Sequence, residues 1–130
     1  MKQTIKSILI AIVGFFVLCS FQTGIIQTLV TIVDVKIAMF LLIAIIGPVS
    51  EELYKNYFRT NKIVLYGFVI LEAFGYIVLQ GAPIIARLVT AYMHCFTINV
   101  ICSERFTLRI RLTVAIIVHI TYNSIRYYYM

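Results

Sequence analysis

The chain has 130 residues, of which 62% are apolar and 12% are charged, and its mean hydropathy is +1.01. A soluble domain carries roughly 25% charged residues, and a globule of this size cannot hide so much apolar surface in its own core, so the composition excludes an ordinary soluble enzyme and indicates an integral membrane protein. The net charge of +6 comes from Lys and Arg residues scattered singly between apolar segments, which argues against a nucleic-acid partner and for charges that set membrane topology.

Apolar segments in chain order predict an all-α fold, a polytopic transmembrane helical bundle of about five membrane helices that forms one integral membrane domain over 1–130. The first segment follows Lys2 and Lys6 as in a signal peptide, but bulky residues precede Cys19 where cleavage needs small ones, so we expect a retained helix. Residues 22–36 either extend that helix or form a short interfacial helix. The predicted membrane helices lie near 5–21, 37–58, 63–80, 83–102 and 112–129.

Basic residues favour one side of this arrangement. Eight lie on or near the side of the N-terminus and three toward the other, so we expect a cytoplasmic N-terminus and a location in the cell membrane. The three cysteines form no CxxC pair and indicate neither a disulfide framework nor a thiolate metal site. The eight basic residues are Lys2, Lys6, Lys55, Arg59, Lys62, Arg105, Arg109 and Arg111, and the three are Lys36, Arg87 and Arg126.

The second predicted helix places two adjacent acids within the membrane. Its apolar run from Ile37 to Ser50 has 14 residues, whereas crossing the hydrocarbon core takes about 20. The helix should therefore continue through Glu51 and Glu52. Pro48 lies just upstream and is expected to kink the helix, which would leave polar backbone groups near the acids.

Further polar residues lie where a lipid-facing helix does not tolerate them. Ionisable groups inside a membrane are costly and face the bundle interior, a partner or a water cavity. Residues with helical spacing share one face, so four helices can direct polar groups toward a common centre. The spaced pairs are Glu51 and Lys55, Phe68 and Glu72, Arg87 and His94, and His119 and Asn123.

Two carboxyl groups close together at low dielectric cannot both ionise easily. One of the pair Glu51 and Glu52 is therefore expected to keep its proton and serve as an acid while the other serves as a base. An acid and a base are what attack of water on a peptide bond requires. The residues alone leave open which glutamate is the base.

Four motifs follow one another on successive predicted helices: EELYK at 51–55, GFVILE at 67–72, RLVTAYMH at 87–94 and HITYN at 119–123. In this order they resemble the EExxK motif, the FxxxE motif, the Arg and His helix and the HxxxN motif of PrsW-type intramembrane proteases, which are related to the CAAX-protease/Abi group. Asn56 stands where the CAAX-protease/Abi pattern has Arg, which favours the PrsW-like branch. Ala73 departs from the pattern, since PrsW-like chains often have Asn there.

The resemblance implies a metal-free glutamic endopeptidase that hydrolyses a peptide bond in or near a membrane segment of another protein. Its substrate is a membrane-anchored protein or peptide, and no cofactor is expected. In this interpretation Glu51 or Glu52 activates water. The histidines and the asparagine orient the water or stabilise the oxyanion, and the remaining charged residues orient or pair with the acids. The assisting residues are His94, His119 and Asn123, and the orienting or ion-pair residues are Lys55, Glu72 and Arg87.

Other interpretations of the same residues stay open. The two histidines and one or more of the acids offer an N/O set for zinc, although no HExxH spacing is present. Glu51 with Lys55 is also typical of an interfacial ion pair, and Glu72 with Arg87 of a structural pair between helices. The rival function is a non-enzymatic small membrane protein, an ion- or proton-conducting, pore-forming or assembly subunit with structural intramembrane charges.

Overall fold

The computed structural model describes residues 1–129, which form five helices joined by turns of three to five residues. Such short connections make consecutive helices antiparallel. The described part of the chain contains no β-strand, and the prediction of an all-α helical bundle is confirmed. The helices are α1 (Lys2–Leu29), α2 (Val35–Tyr57), α3 (Lys62–Gln80), α4 (Ile84–Cys102) and α5 (Leu108–Tyr128).

The distribution of side chains is that of a membrane protein. Large apolar side chains are exposed on every helix, while the interior contains charged and polar groups. A soluble fold of this size does not expose so many large apolar side chains while burying ionisable ones. The helices α1 to α4 are long and apolar enough to cross a membrane, whereas α5, with 21 residues and three arginines, is not among these four. The buried polar residues are Ser7, Glu52, Lys55, Arg87, Thr90, His94, Thr97, His119 and Asn123.

The first helix is longer than its predicted range of 5–21, and it extends to Leu29. The helix continues through the polar residues after Phe21. The hydroxyls of Thr23 and Thr28 are satisfied within it, because they donate to carbonyl oxygens four residues earlier. A turn follows, and α2 begins at Val35 after Asp34, whose carboxylate caps the helix. Most of the segment 22–36 therefore extends the first helix.

The connections divide the bundle into two sides. What we call the amino-terminal side contains the start of α1 at Lys2, the end of α2 at Tyr57 and the start of α3 at Lys62. On this side the Asn61 amide of the α2–α3 turn donates to the Ser7 hydroxyl of α1 at 3.0 Å. The opposite side holds the end of α1 and the end of α3. There Gly81 has a left-handed φ of 63°, which allows α3 to stop before the proline that precedes α4.

Just before Pro48, where the sequence predicts a kink, α2 contains a π-helical turn over Leu42–Ile46. The N–H of Gly47 donates to the Leu42 carbonyl oxygen, so the next oxygen, that of Ile43, would need the N–H of residue 48. Residue 48 is proline and has none. The side-chain amide of Asn123 on α5 donates to the Ile43 oxygen instead, at 2.9 Å. This hydrogen bond joins the π turn of α2 to α5.

The π turn depends on glycine at position 47. A Cβ placed there would lie 2.8 Å from the Leu42 carbonyl oxygen, which is backbone and cannot rotate away. We expect Gly47→Ala to lower the free energy of unfolding by about 1–3 kcal/mol, measured as thermal unfolding in detergent micelles. Gly24→Ala is the control, because its Cβ meets no atom of the described chain within 4 Å. Equal melting temperatures for the two variants would contradict this account.

Candidate active site

Helices α2 to α5 bring most of the predicted site residues into one cluster in the middle of the bundle. Each helix contributes through one face, as the spacing of the motifs requires. Glu51 and Glu72 are about one-eighth exposed by their side chains, and the other members are almost fully buried. The cluster consists of Glu51, Glu52, Lys55, Glu72, His94 and His119, with Asn123 beside it.

Lys55 is completely buried, and each of its three ammonium protons has an acceptor. Its Nζ donates to Glu52 Oε1 at 2.8 Å, to His94 Nδ1 at 2.7 Å and to Thr97 Oγ1 at 2.8 Å. The edge of the Phe68 ring packs on His94, and Nζ lies 5.6 Å from the Phe68 centroid. The ammonium group is thus held by α2 and α4 and covered by α3.

Glu52 is the anionic partner of this lysine. Its Oε1 accepts from Lys55 and also contacts His119 Nδ1 at 2.7 Å. Its Oε2 is buried and has no hydrogen-bond partner within residues 1–129. The interfacial pair of Glu51 with Lys55, which the i,i+4 spacing also allows, is not formed, because Lys55 pairs with Glu52 at i,i+3 in the interior.

The hydrogen-bond partners assign different tautomers to the two histidines. Since His94 Nδ1 accepts from Lys55, its Nε2 carries the proton. Since His119 Nδ1 donates to the Glu52 carboxylate, its Nε2 keeps a free lone pair. The two rings meet edge to face with centroids 4.9 Å apart. The Nε2 of His94 is therefore a hydrogen-bond donor, and the Nε2 of His119 is an acceptor.

The second nitrogen of each ring faces an acid. His119 Nε2 lies 3.3 Å from Glu51 Oε2, and His94 Nε2 lies 2.6 Å from Glu72 Oε2. The short contact between His94 Nε2 and Glu72 Oε2 holds the carboxylate against the imidazole ring.

A cavity of about 90 Å³ adjoins the acids and has room for several water molecules. Glu51 and Glu72 line it, whereas Glu52 does not. Asn123 lines it as well, and only one of the two protons of its amide is used by the Ile43 oxygen. The adjacent glutamates therefore differ in environment, because Glu51 faces space for water and Glu52 faces Lys55 and His119.

Arg87 differs from the expectation of a pair with Glu72. Its guanidinium carbon lies 4.0 Å from the centroid of the Tyr76 ring, and no ion pair joins it to an acid anywhere in the described residues. Stacking on an aromatic ring is a favourable alternative for a guanidinium group. Glu72 contacts His94 instead.

Several residues at the site were not singled out from the sequence. Thr97 accepts from Lys55, and Gln22, Tyr76 and Arg126 line the cavity. Helical spacing was a usable signal for three of them, since Thr97 is three residues after His94, Tyr76 four after Glu72 and Arg126 three after Asn123. For Gln22 the signal was an amide within an extended apolar helix, where it donates to Ser50 of α2 at 3.0 Å.

The cluster also contains a donor set for a metal ion. Glu51, His94 and His119 each offer one atom, and the three atoms lie within 4.8 Å of one another. Zinc accepts imidazole nitrogen and carboxylate oxygen with water as the fourth ligand. Both ring nitrogens of His94 are already engaged, by Lys55 and by Glu72, so binding an ion there requires displacement of one of these partners.

No known protein family, curated protein or solved structure matches the chain. The likeness to PrsW-type proteases therefore rests on the four motifs.

Removal of the lysine would leave a buried carboxylate without a counter-ion. We expect Lys55→Met to destabilise the bundle by about 3–5 kcal/mol, measured by denaturation in detergent. The double variant Lys55→Met/Glu52→Gln removes both charges and should recover much of this loss, while Lys62→Met on the exposed start of α3 should have little effect. A double variant no more stable than Lys55→Met would contradict the ion pair as the cause.

Proposed function

We propose that the chain is a PrsW-like intramembrane peptidase that hydrolyses a peptide bond in or near a membrane segment of another protein. The observation that carries the proposal is that Glu51 lines a cavity with room for water beside the Asn123 amide and lies 3.3 Å from His119 Nε2. A general base, a place for water and an N–H donor are the three components of amide hydrolysis without a metal.

Glu51 is the general base in this proposal. It takes a proton from a water molecule in the cavity while the water oxygen bonds to the carbonyl carbon of the scissile peptide. The resulting oxyanion is stabilised by the second amide proton of Asn123, which lines the cavity. The C–N bond then breaks, and Glu51 returns the proton to the leaving nitrogen, which yields a new carboxyl group and a new amine.

Glu52 and Lys55 are positioning residues. The ammonium group fixes the tautomer of His94, and the carboxylate fixes that of His119, whose lone pair then faces Glu51. Glu72 lies beside His94 and the cavity, where it orients the imidazole. The adjacent acids thereby perform different tasks, because Glu51 accepts and returns the proton while Glu52 orients His119 beside it.

The proposal includes a cytoplasmic N-terminus in the cell membrane. Lys55 is buried in the cluster and does not contribute to topology. The remaining basic residues still favour the amino-terminal side, as positive charges do in the cytoplasm. On that side are Lys2, Lys6, Arg59, Lys62, Arg105, Arg109 and Arg111, and toward the other are Lys36, Arg87 and Arg126.

Turnover tests the division between the two glutamates. The wild type and each variant are expressed at equal membrane levels in the native host, and new N- and C-termini of membrane and released peptides are compared by mass spectrometry. We expect Glu51→Gln to lower the wild-type-dependent fragments by about 100-fold or more with no loss of folding. Glu52→Gln should lower both turnover and stability, because it leaves Lys55 without an anion.

Glu104→Gln is the control, since Glu104 is exposed in the turn between α4 and α5. Equal fragment patterns in the wild type, Glu51→Gln and Glu52→Gln would remove the peptidase proposal. The rival function of a conducting or assembly subunit would then be tested by conductance.

Chelation separates the metal-free reaction from a zinc-dependent one. Because the proposed base acts on water directly, we expect purified protein dialysed against a zinc chelator to retain its fragment-producing activity in reconstituted host membranes. Loss of activity on dialysis and its return with added zinc would assign the Glu51, His94 and His119 set to a metal instead.

A further inference from the structure

A groove of about 480 Å³ runs between α1 and the second half of α3, toward the opposite side of the bundle. It shares four lining residues with the cavity at Glu51, so the two spaces adjoin. The shared residues are Gln22, Leu42, Glu72 and Tyr76.

From this continuity we infer that the groove binds the substrate as an extended segment, which reaches the acids sideways between α1 and α3. The inference rests on the proposed function and names the substrate class: a membrane-anchored polypeptide whose span is interrupted by a short non-helical stretch in the half of the membrane at the opposite side.

The groove has the length for such a stretch. Its lining on α1 extends from Phe15 to Ile26, which corresponds to about 16 Å at about 1.5 Å per helical residue. An extended chain advances about 3.3 Å per residue, so about five residues fit along it. A helical segment would present its peptide groups already hydrogen-bonded and covered by side chains, and water could not reach them.

The lining of the groove favours a polypeptide over a lipid chain. Apolar side chains such as Phe16 and Leu79 suit the hydrocarbon environment, but Gln22, Thr23 and Gln80 also line the groove. Gln22 and Thr23 each donate one bond within the bundle, to Ser50 and to the Cys19 carbonyl oxygen. Their remaining polar capacity and the Gln80 amide can bond to the backbone of an extended segment, which otherwise lacks partners within a membrane. A lipid acyl chain has no group that uses them.

Gly75 offers a steric test of this groove. It lines the groove, and a Cβ added there meets no atom of the described chain within 4 Å, so a larger side chain fits the fold while filling the groove. Gly24 is the matched control, because it lines a separate groove on α1 and its added Cβ is equally free of contacts in residues 1–129.

We expect Gly75→Leu to lower the wild-type-dependent fragments by about tenfold or more. Gly24→Leu should stay within about twofold of the wild type. Both variants should fold as the wild type does. Fragment levels for Gly75→Leu equal to those of the wild type would overturn the groove as the path of the substrate.

Cys19 allows a binding test that does not need turnover. It lines the groove, and replacing the other two cysteines, Cys95 and Cys102, with Ala leaves it as the one thiol. In a Glu51→Gln background, the protein is mixed in detergent with a synthetic leucine-rich membrane helix. This probe is interrupted by a five-residue Gly/Ser stretch that contains one cysteine, in the half toward the opposite side. A matched probe has the stretch in the other half.

Under oxidising conditions the first probe should form a disulfide with Cys19 at least about fivefold more than the matched probe does. Equal cross-linking of both probes, or cross-linking to neither, would overturn the inference. If the first probe cross-links preferentially but the wild type produces no fragments in the host, the binding groove stands and the peptidase proposal is removed. Fragments without preferential cross-linking would leave the peptidase and remove the groove.

Discussion

Lys55 is a charged group without access to solvent, and its three protons must find acceptors inside the bundle. Two acceptors lie on α4 and one on α2, and the carboxylate on α2 extends the set to α5 through His119. Low dielectric makes each of these bonds strong and makes the loss of any one costly. The relative rotation of three helices is therefore fixed by a single ammonium group, and packing of apolar side chains against lipid does not need to specify it.

The same group decides the chemistry of the two imidazoles. A histidine free in a cluster of acids can carry its proton on either nitrogen, or on both. Here the cation at His94 and the anion at His119 require opposite choices. Adjacent helical residues project about 100° apart, so Glu52 can join this network while Glu51 faces the cavity. Two neighbouring residues of the same type thus have different environments without any loop or hinge between them.

Much of this arrangement could be predicted from the sequence because membrane helices obey simple spacing rules. The short apolar run before Glu51 placed both acids within the span, and the i,i+4 spacing of His119 and Asn123 placed them on one face. The tautomers and the separate tasks of the glutamates could not be predicted, because they depend on contacts between helices. The partner of Arg87 could not be predicted either, because a long side chain can reach several groups and helical spacing does not show which of them it contacts. The α1 helix carried no motif, and its contribution through Gln22 becomes visible only when it lies against α2.

The π turn of α2 is equivalent to a helix with one additional residue. Residues on its two sides are consequently out of phase by about 100° relative to a regular α-helix. The part before the turn contacts α5 through Phe40 and Tyr127, and the part after it contains both acids. Conversion of Leu42–Ile46 to regular α-helix with all its residues kept would leave every motif intact in the sequence while rotating Glu51 and Glu52 away from the histidines. Among related chains, conservation of the residues that keep this turn, such as Gly47, would therefore be as informative about the site as conservation of the acids themselves.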